Sequence, residues 1–353
     1  MEPKPVPPIT AEQQQLLGPW YSQNGRDSRT LTLYDAIPKY PFRTTRFVET
    51  ADPLTVVFTV KERHYATELW PARVKVASGE TRLAFPGARE ELVERALRFL
   101  AVQQLAQTRI TPNGDNNGIT VWFSLSMIRR HLEELGHGCK LSEVKEALDI
   151  LSDTRIRVHD ADAAEKGRDV FKQAAIFSRY EGNYGKGDIT GEDSLGAVAF
   201  HPLATQAILE LAFYPINQLR VGRLKMPLAR WLTSRMSHNY RQASREALLL
   251  RREGYHIALS TIFEERALVR QKRLRASLED VRRALTEMCE ANVLRSPDSA
   301  SVLSGPAYNE KLTYVRTERR PAVVDAVWIL YPSPEFIEEI VQGNVDMKRA
   351  RLG

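Results

Sequence analysis

The sequence predicts an α+β protein built from two tandem copies of one helix-and-strand unit, preceded by a partly disordered N-terminal extension. Three observations lead there: an internal repeat, a shared order of elements in both copies, and a concentration of basic residues in the second. Leu141, Val144, Ala147, Leu148, Leu151 and Ile156 recur as Leu278, Val281, Ala284, Leu285, Met288 and Val293 at a constant offset of 137 residues. Spacings of three and four place the helical members of each set on one face. Upstream, Val121, Phe123, Ser124 and Leu132 match Ile257, Leu259, Ser260 and Leu268 at an offset of 136, so one residue is added in the turn between the helices.

Each copy reads in the same order. A long helix opens it, over Arg89 to Ala106 in the first copy and Pro227 to Tyr240 in the second, where proline suits a first helical position. A short alternating strand follows, Thr120 to Phe123 and His256 to Leu259. A hydroxyl residue then caps the next helix: Ser124 in one copy, Ser260 or Thr261 in the other, the latter with Glu264 three residues on. The second amphipathic helix follows a short turn and leads into apolar stretches separated by polar loops. Helix, strand, helix, turn, helix, hairpin is the wiring of a winged helix-turn-helix. The expectation is therefore two tandem winged-helix domains related by an internal repeat; two unrelated α+β folds sharing an amphipathic helix are the alternative.

The wings are placed by their strands. In the first copy Arg155 to Val158 and Val170 to Tyr180 read as strands, Gly182 to Gly196 as a glycine-rich loop and Ala197 to Phe200 as a returning strand. In the second the hairpin runs through Leu312 to Val315 and Val323 to Leu330, with Arg319 and Arg320 at its tip. Those two arginines are placed to meet phosphate or a minor groove, or else are solvated tip residues. The divisions expected are an extension over 1–88, winged helices over 89–215 and 216–343, and a tail over 344–353. In the extension, MEPKPVPP reads as disordered and Leu54 to Val60 and Ala72 to Val76 alternate weakly like strands.

Composition limits the function classes. The 353 residues, 43% of them hydrophobic, supply cores for two or three domains. Cys139 and Cys289 lie far apart with no Cys or His at ligand spacing, which argues against a disulfide scaffold or zinc ribbon and for a reducing, cytoplasmic setting. No apolar run approaches the length of a membrane span, and the N-terminus lacks the layout of a signal peptide. The formal net charge is +6, yet between Asn217 and Arg283 sixteen bases face six acids, a surplus of ten. Segregated arginine is the footprint expected for a phosphate backbone.

Enzymatic signatures are missing. GNYGKGD, Gly182 to Asp188, has glycines too close for a phosphate loop and Gly187 where Ser or Thr should follow the lysine. No two of the seven histidines are separated by a single residue, so the metal-binding pair of a rolling-circle nickase is absent. The acidic pairs Glu133-Glu134, Glu264-Glu265 and Glu338-Glu339 read as solvated helix faces. The expectation is a protein with no catalytic residue, metal or cofactor.

The joining segment, FHPLATQAILELAFYPINQLRVGRLKMPLARWLTSRMSHNY from Phe200 to Tyr240, resembles the linker of plasmid replication initiators of the RepA/TrfA type. The resemblance rests on a strand leading into a short helix, an aromatic turn (Phe213, Tyr214, Pro215, Ile216) and a helix opening with Leu228, Ala229, Arg230, Trp231 and Leu232. It spans about Arg89 to Gly343; the Gly182 to Gly196 loop and a Gln242 to Gly254 insertion depart from it. It implies a double-stranded DNA-binding initiator that recognises direct repeats, iterons, in a plasmid origin, chiefly through its second domain. It also implies a homodimer alongside the monomer, and as host partners the chromosomal initiator, the replicative helicase and the sliding clamp. Gln13 to Leu17, QQQLL, is faintly like a clamp-binding peptide, a polar tail being the plainer reading. The alternative class is a dimeric winged-helix transcriptional repressor with no replication role.

The expected DNA contacts follow from the helical wheel. With Val281 at the centre of the buried face, Arg275, Glu279, Arg283 and Thr286 point away from it, and Ser277 is placed to cap the helix. Arg282 joins this reading face, Arg270, Lys272 and Arg273 contact phosphate from the preceding turn, and Lys140, Ser142 and Lys145 are the counterparts in the first copy. Glu279 and Arg283, at i,i+4, are also spaced for a mere surface ion pair. Duplex binding is expected to weaken about a thousandfold between 50 and 200 mM salt, as for a protein neutralising roughly 6 to 10 phosphates. Affinity titrations across that range check this, and a flat dependence would refute the electrostatic argument.

Overall fold

The computed structural model describes residues 28–41, 46–60, 63–75, 79–106, 112–113, 118–161, 167, 171–182, 195–209, 213–239, 252–266, 274–296, 306–315 and 322–352. Two compact units emerge, one built on residues 31–213 and one on residues 28–30 together with 214–353.

The leading elements are β1 (Ser28–Leu31), α1 (Thr32–Ala36), β2 (Phe47–Val48), β3 (Leu54–Val60), β4 (Arg63–Trp70), β5 (Ala72–Lys75) and β6 (Thr81–Ala84). The first repeat copy follows with α2 (Ala88–Ala106), β7 (Pro112–Asn113), β8 (Gly118–Ser124), α3 (Leu125–Glu134) and α4 (Leu141–Asp153). Then come β9 (Arg155–Asp160), β10 (Phe171–Ala175), β11 (Phe177–Gly182), β12 (Leu195–Phe200) and α5 (Pro202–Leu209). Ser124 caps α3 as expected, its hydroxyl accepting the Met127 N–H at 3.1 Å. The opening of α4 is held by Glu143, which accepts the Lys140 N–H at 2.7 Å.

The first wing is formed differently from the sequence expectation. Val170 to Tyr180 is not one strand: it breaks at the buried Ile176, whose N–H donates to Thr154 O at 3.1 Å and whose carbonyl accepts the His201 N–H at 2.9 Å. β10 pairs with β9 in the antiparallel sheet β10-β9-β4-β3, whereas β11 joins β11-β12-β8-β7. The strand at Arg155 thus leaves the winged helix to pair with β4, Ile156 opposite Leu69 and Val158 opposite Thr67. No glycine or proline punctuates 170–180, so the break has no local signal; partners distant in sequence impose it.

Residues 31–87 are tied into this unit. Arg98 of α2 binds Asp35 at 2.5 Å and Glu94 at 2.7 Å, and the Tyr40 hydroxyl donates to Glu94. Lys39 donates to Tyr34 O at 2.7 Å with its ammonium 3.8 Å from the Tyr34 ring centroid. Burial pulls this lysine down to about 8, although Glu94 and Asp35 favour its charged form.

In the second unit β13 (Phe213–Ile216), expected as a turn, is a strand paired with β1. It leads through α6 (Gln218–Arg223) to α7 (Pro227–Asn239). Next are β14 (Tyr255–Ala258), α8 (Leu259–Arg266), α9 (Leu274–Glu290), β15 (Tyr308–Val315), β16 (Ala322–Leu330) and α10 (Pro334–Leu352). The sheet order β14-β16-β15 places the last strand between the first and the second, and β8-β12-β11 repeats that order in the first unit. Both copies are therefore winged helices. All six apolar residues of each matched set are buried. α9 ends in a Schellman-type turn: Asn292 takes φ 53° and the Val293 N–H reaches Met288 O at 2.9 Å.

Gly254 enters β14 at φ +74°, where an added Cβ would lie 2.7 Å from Ile329 Cγ2 and 2.9 Å from Leu330 O. Gly254→Ala is expected to cost about 1–3 kcal/mol in the second unit, read as a lowered denaturation midpoint.

Candidate nucleic-acid interface

The outer side of α9, with the adjoining hairpin β15–β16, holds the expected reading residues. Leu278, Val281, Ala284, Leu285 and Met288 are buried, which turns Arg275, Glu279, Arg283 and Thr286 outward; all four are exposed. Arg283 lies 3.6 Å from Asp280, so the ion pair expected with Glu279 is made one residue closer. Glu279 instead faces Arg282 at 3.6 Å. Both are loose pairs on a solvated surface and hold the arginine weakly.

Three expectations on this face change. Ser277 does not cap α9: the helix begins at Leu274 because Leu274, Arg275 and Ala276 are good helix formers, leaving Ser277 buried within the first turn. Ser260 and Thr261 do not cap α8 either. The helix starts at Leu259, and Asp325 of β16 accepts the Ser260 N–H at 3.2 Å and its hydroxyl at 2.8 Å. Arg282 is a strut: its guanidinium grips Glu310 of β15 at 3.0 and 2.9 Å, bonds that raise its pKa and bind the wing to the recognition helix.

Much of the basic surplus is spent inside the unit. Arg230 is fully buried and donates to Leu224 O at 2.8 Å and Lys225 O at 3.0 Å. Glu287 accepts the N–H groups of Lys225 and Met226, the latter at 2.9 Å, so this loop is held from both sides. Arg235 binds Glu265 and the Tyr255 hydroxyl, and Arg220 binds Glu339 at 2.9 Å. Glu265 and Glu339 are accordingly not solvated faces, and burial pushes the Glu265 carboxyl up against the pull of Arg235. Among the described bases of the segment, Arg223, Lys225, Arg252, Arg275 and Arg283 are exposed. Arg270, Lys272, Arg273, Arg319 and Arg320 lie outside the described residues, as do Gln13 to Leu17 and most of the Gly182 to Gly196 loop.

In the first copy, Lys140 and Ser142 are exposed at the start of α4, and Lys145 is half-buried one turn from Asp149. Sequence reasoning missed Glu287, Glu310 and Asp325, whose partners lie 28 to 65 residues away. Only the position of Glu287 offered a signal, since it matches the apolar Ile150 at the repeat offset. Among the described residues no group of three His, Cys, Asp or Glu converges as a metal site, and no helix is long and apolar enough to cross a membrane.

The sequence matches no protein-family model and no curated protein. Among solved structures, it is similar to a selenomethionine derivative of domains 2 and 3 of RctB, a Vibrio chromosome replication initiator, at 15% identity and a TM-score of 0.49, covering 85% of this chain and 96% of that one. A second structure, of RctB domains 2–3, is 14% identical with a TM-score of 0.45, covering 88% of this chain and 99% of that one.

Arg283→Ala is expected to cost about 1–3 kcal/mol in binding to a cognate duplex and to leave random-sequence binding nearly unchanged. Arg282→Ala should instead lower thermal stability, because Glu310 loses its partner. Paired affinity measurements at one salt concentration, with melting curves, separate the two roles; equal losses on cognate and random duplex for Arg283→Ala would remove it from the reading face.

Proposed function

We propose that this chain is a sequence-specific duplex-DNA-binding replication initiator of the plasmid type, which binds direct repeats at an origin. The observation that carries the reading is the uncovered outer side of α9, where Arg275 and Arg283 stand exposed beside a wing anchored to the same helix by Arg282 and Glu310. Arginine on the outer side of a recognition helix matches guanine O6 and N7 in the major groove, and an anchored wing fixes that helix against the backbone. The initiator role rests on the resemblance of the Phe200 to Tyr240 linker to the RepA/TrfA type. In this role the protein hands the origin to the host chromosomal initiator, the replicative helicase and the sliding clamp, acts as monomer and homodimer, and performs no chemistry itself.

DNA flanking the gene tests the proposal. Protection mapping with purified protein is expected to show several direct repeats spaced by about two helical turns, each taking one protomer. A single palindrome holding two protomers would instead assign the protein to the dimeric repressors.

A further inference from the structure

The two repeat helices α4 and α9 are alike on their buried sides and differ on the opposite one. At about 100° per residue, the side facing away from the core holds Ser142, Glu146, Asp149 and Asp153 in α4, and Glu279, Arg283, Thr286 and Glu290 in α9. All four are exposed in α9. In α4 Ser142 and Asp153 are exposed and Glu146 and Asp149 half-buried, and the chain's own leading strands pack along the flank of this side. Glu146 binds Arg46 at 3.0 Å and Arg89 at 3.1 Å, and Asp153 accepts the Arg73 N–H at 2.6 Å. Ile150, on the flank, is fully buried with Ala72, Val74 and Ala84, and Phe47 packs against that cluster. The sheet β2-β6-β5 therefore stands along the flank of the outer side of α4 and narrows the space a duplex would need.

A helix enters a major groove about 12 Å wide only when its outer side is clear. The apolar contacts of Ile150 are core contacts, not those of a flap, since Ala72, Val74 and Ala84 are no more than 3% exposed. Electrostatics point the same way. α4 carries Glu143, Glu146, Asp149 and Asp153 against the single Lys145, which opposes approach to a polyanion. We infer that the first winged helix does not read base edges, so that α9 alone sets the sequence preference of each protomer. Lys140, Ser142 and Lys145 then lie outside the reading surface.

This inference rests on the duplex-binding proposal and has its own test in the full chain. Asp149 and Thr286 occupy matched positions at the repeat offset, so each is replaced by tryptophan as a steric probe. Asp149→Trp should leave cognate affinity within about twofold, whereas Thr286→Trp should lose tenfold or more. In parallel, guanine N7 methylation interference on a duplex selected from a random pool should show one major-groove block per protomer. A second block about one helical turn away, or a tenfold loss for Asp149→Trp in a protein that melts normally, would overturn the inference while leaving duplex recognition standing. Failure of the wild-type chain to select any sequence would overturn both.

Discussion

The second unit depends on the burial of one apolar stripe along α9. Leu278, Val281, Ala284, Leu285 and Met288 are all within 5% of full burial, against α7 and β16. Each large side chain so buried contributes about 1.5–3 kcal/mol, and together they fix the rotation of the helix about its axis. A rotation by one residue, about 100°, would bury a charged side chain and expose a leucine, so the outward direction of Arg283 is a consequence of packing. Polar contacts then set the height of the helix. Glu287 reaches from α9 to the N–H groups that precede α7, while Arg230 reaches back from α7 to the carbonyls of the same loop.

Charge in this protein does two jobs that composition cannot separate. Arginine is suited to both, because its planar fork satisfies buried carbonyls and carboxylates as readily as phosphate. Arg230, Arg235, Arg220 and Arg282 hold elements together, and Arg98 does so in the first unit. What remains exposed, including Arg275 and Arg283, is the part of the surplus that can address an anion. The two copies of the repeat thus keep one packing solution and differ in what their outer sides carry: a solvated, arginine-bearing face on α9, and an acidic face flanked by a sheet on α4. Duplication conserves the stripe because a core tolerates little change in shape, whereas an outer face is free to diverge.

Periodicity and capping alone determined the repeat, the order of elements in both copies, the buried members of each stripe and the Ser124 cap, because each of these is encoded within a turn or two of helix or strand. The outward direction of Arg283 was legible for the same reason: a helical wheel needs no partner. Tertiary structure decided the rest. It broke 170–180 at Ile176, sent β9 to β4, turned Phe213 to Ile216 into a strand, and capped α8 with Asp325 in place of its own hydroxyls. It also made Arg282 a strut and seated the leading strands on α4. Each of these depends on a partner from 22 to almost 190 residues away. Local propensity carries no record of which distant carboxylate or strand edge will be brought within reach once the cores have closed.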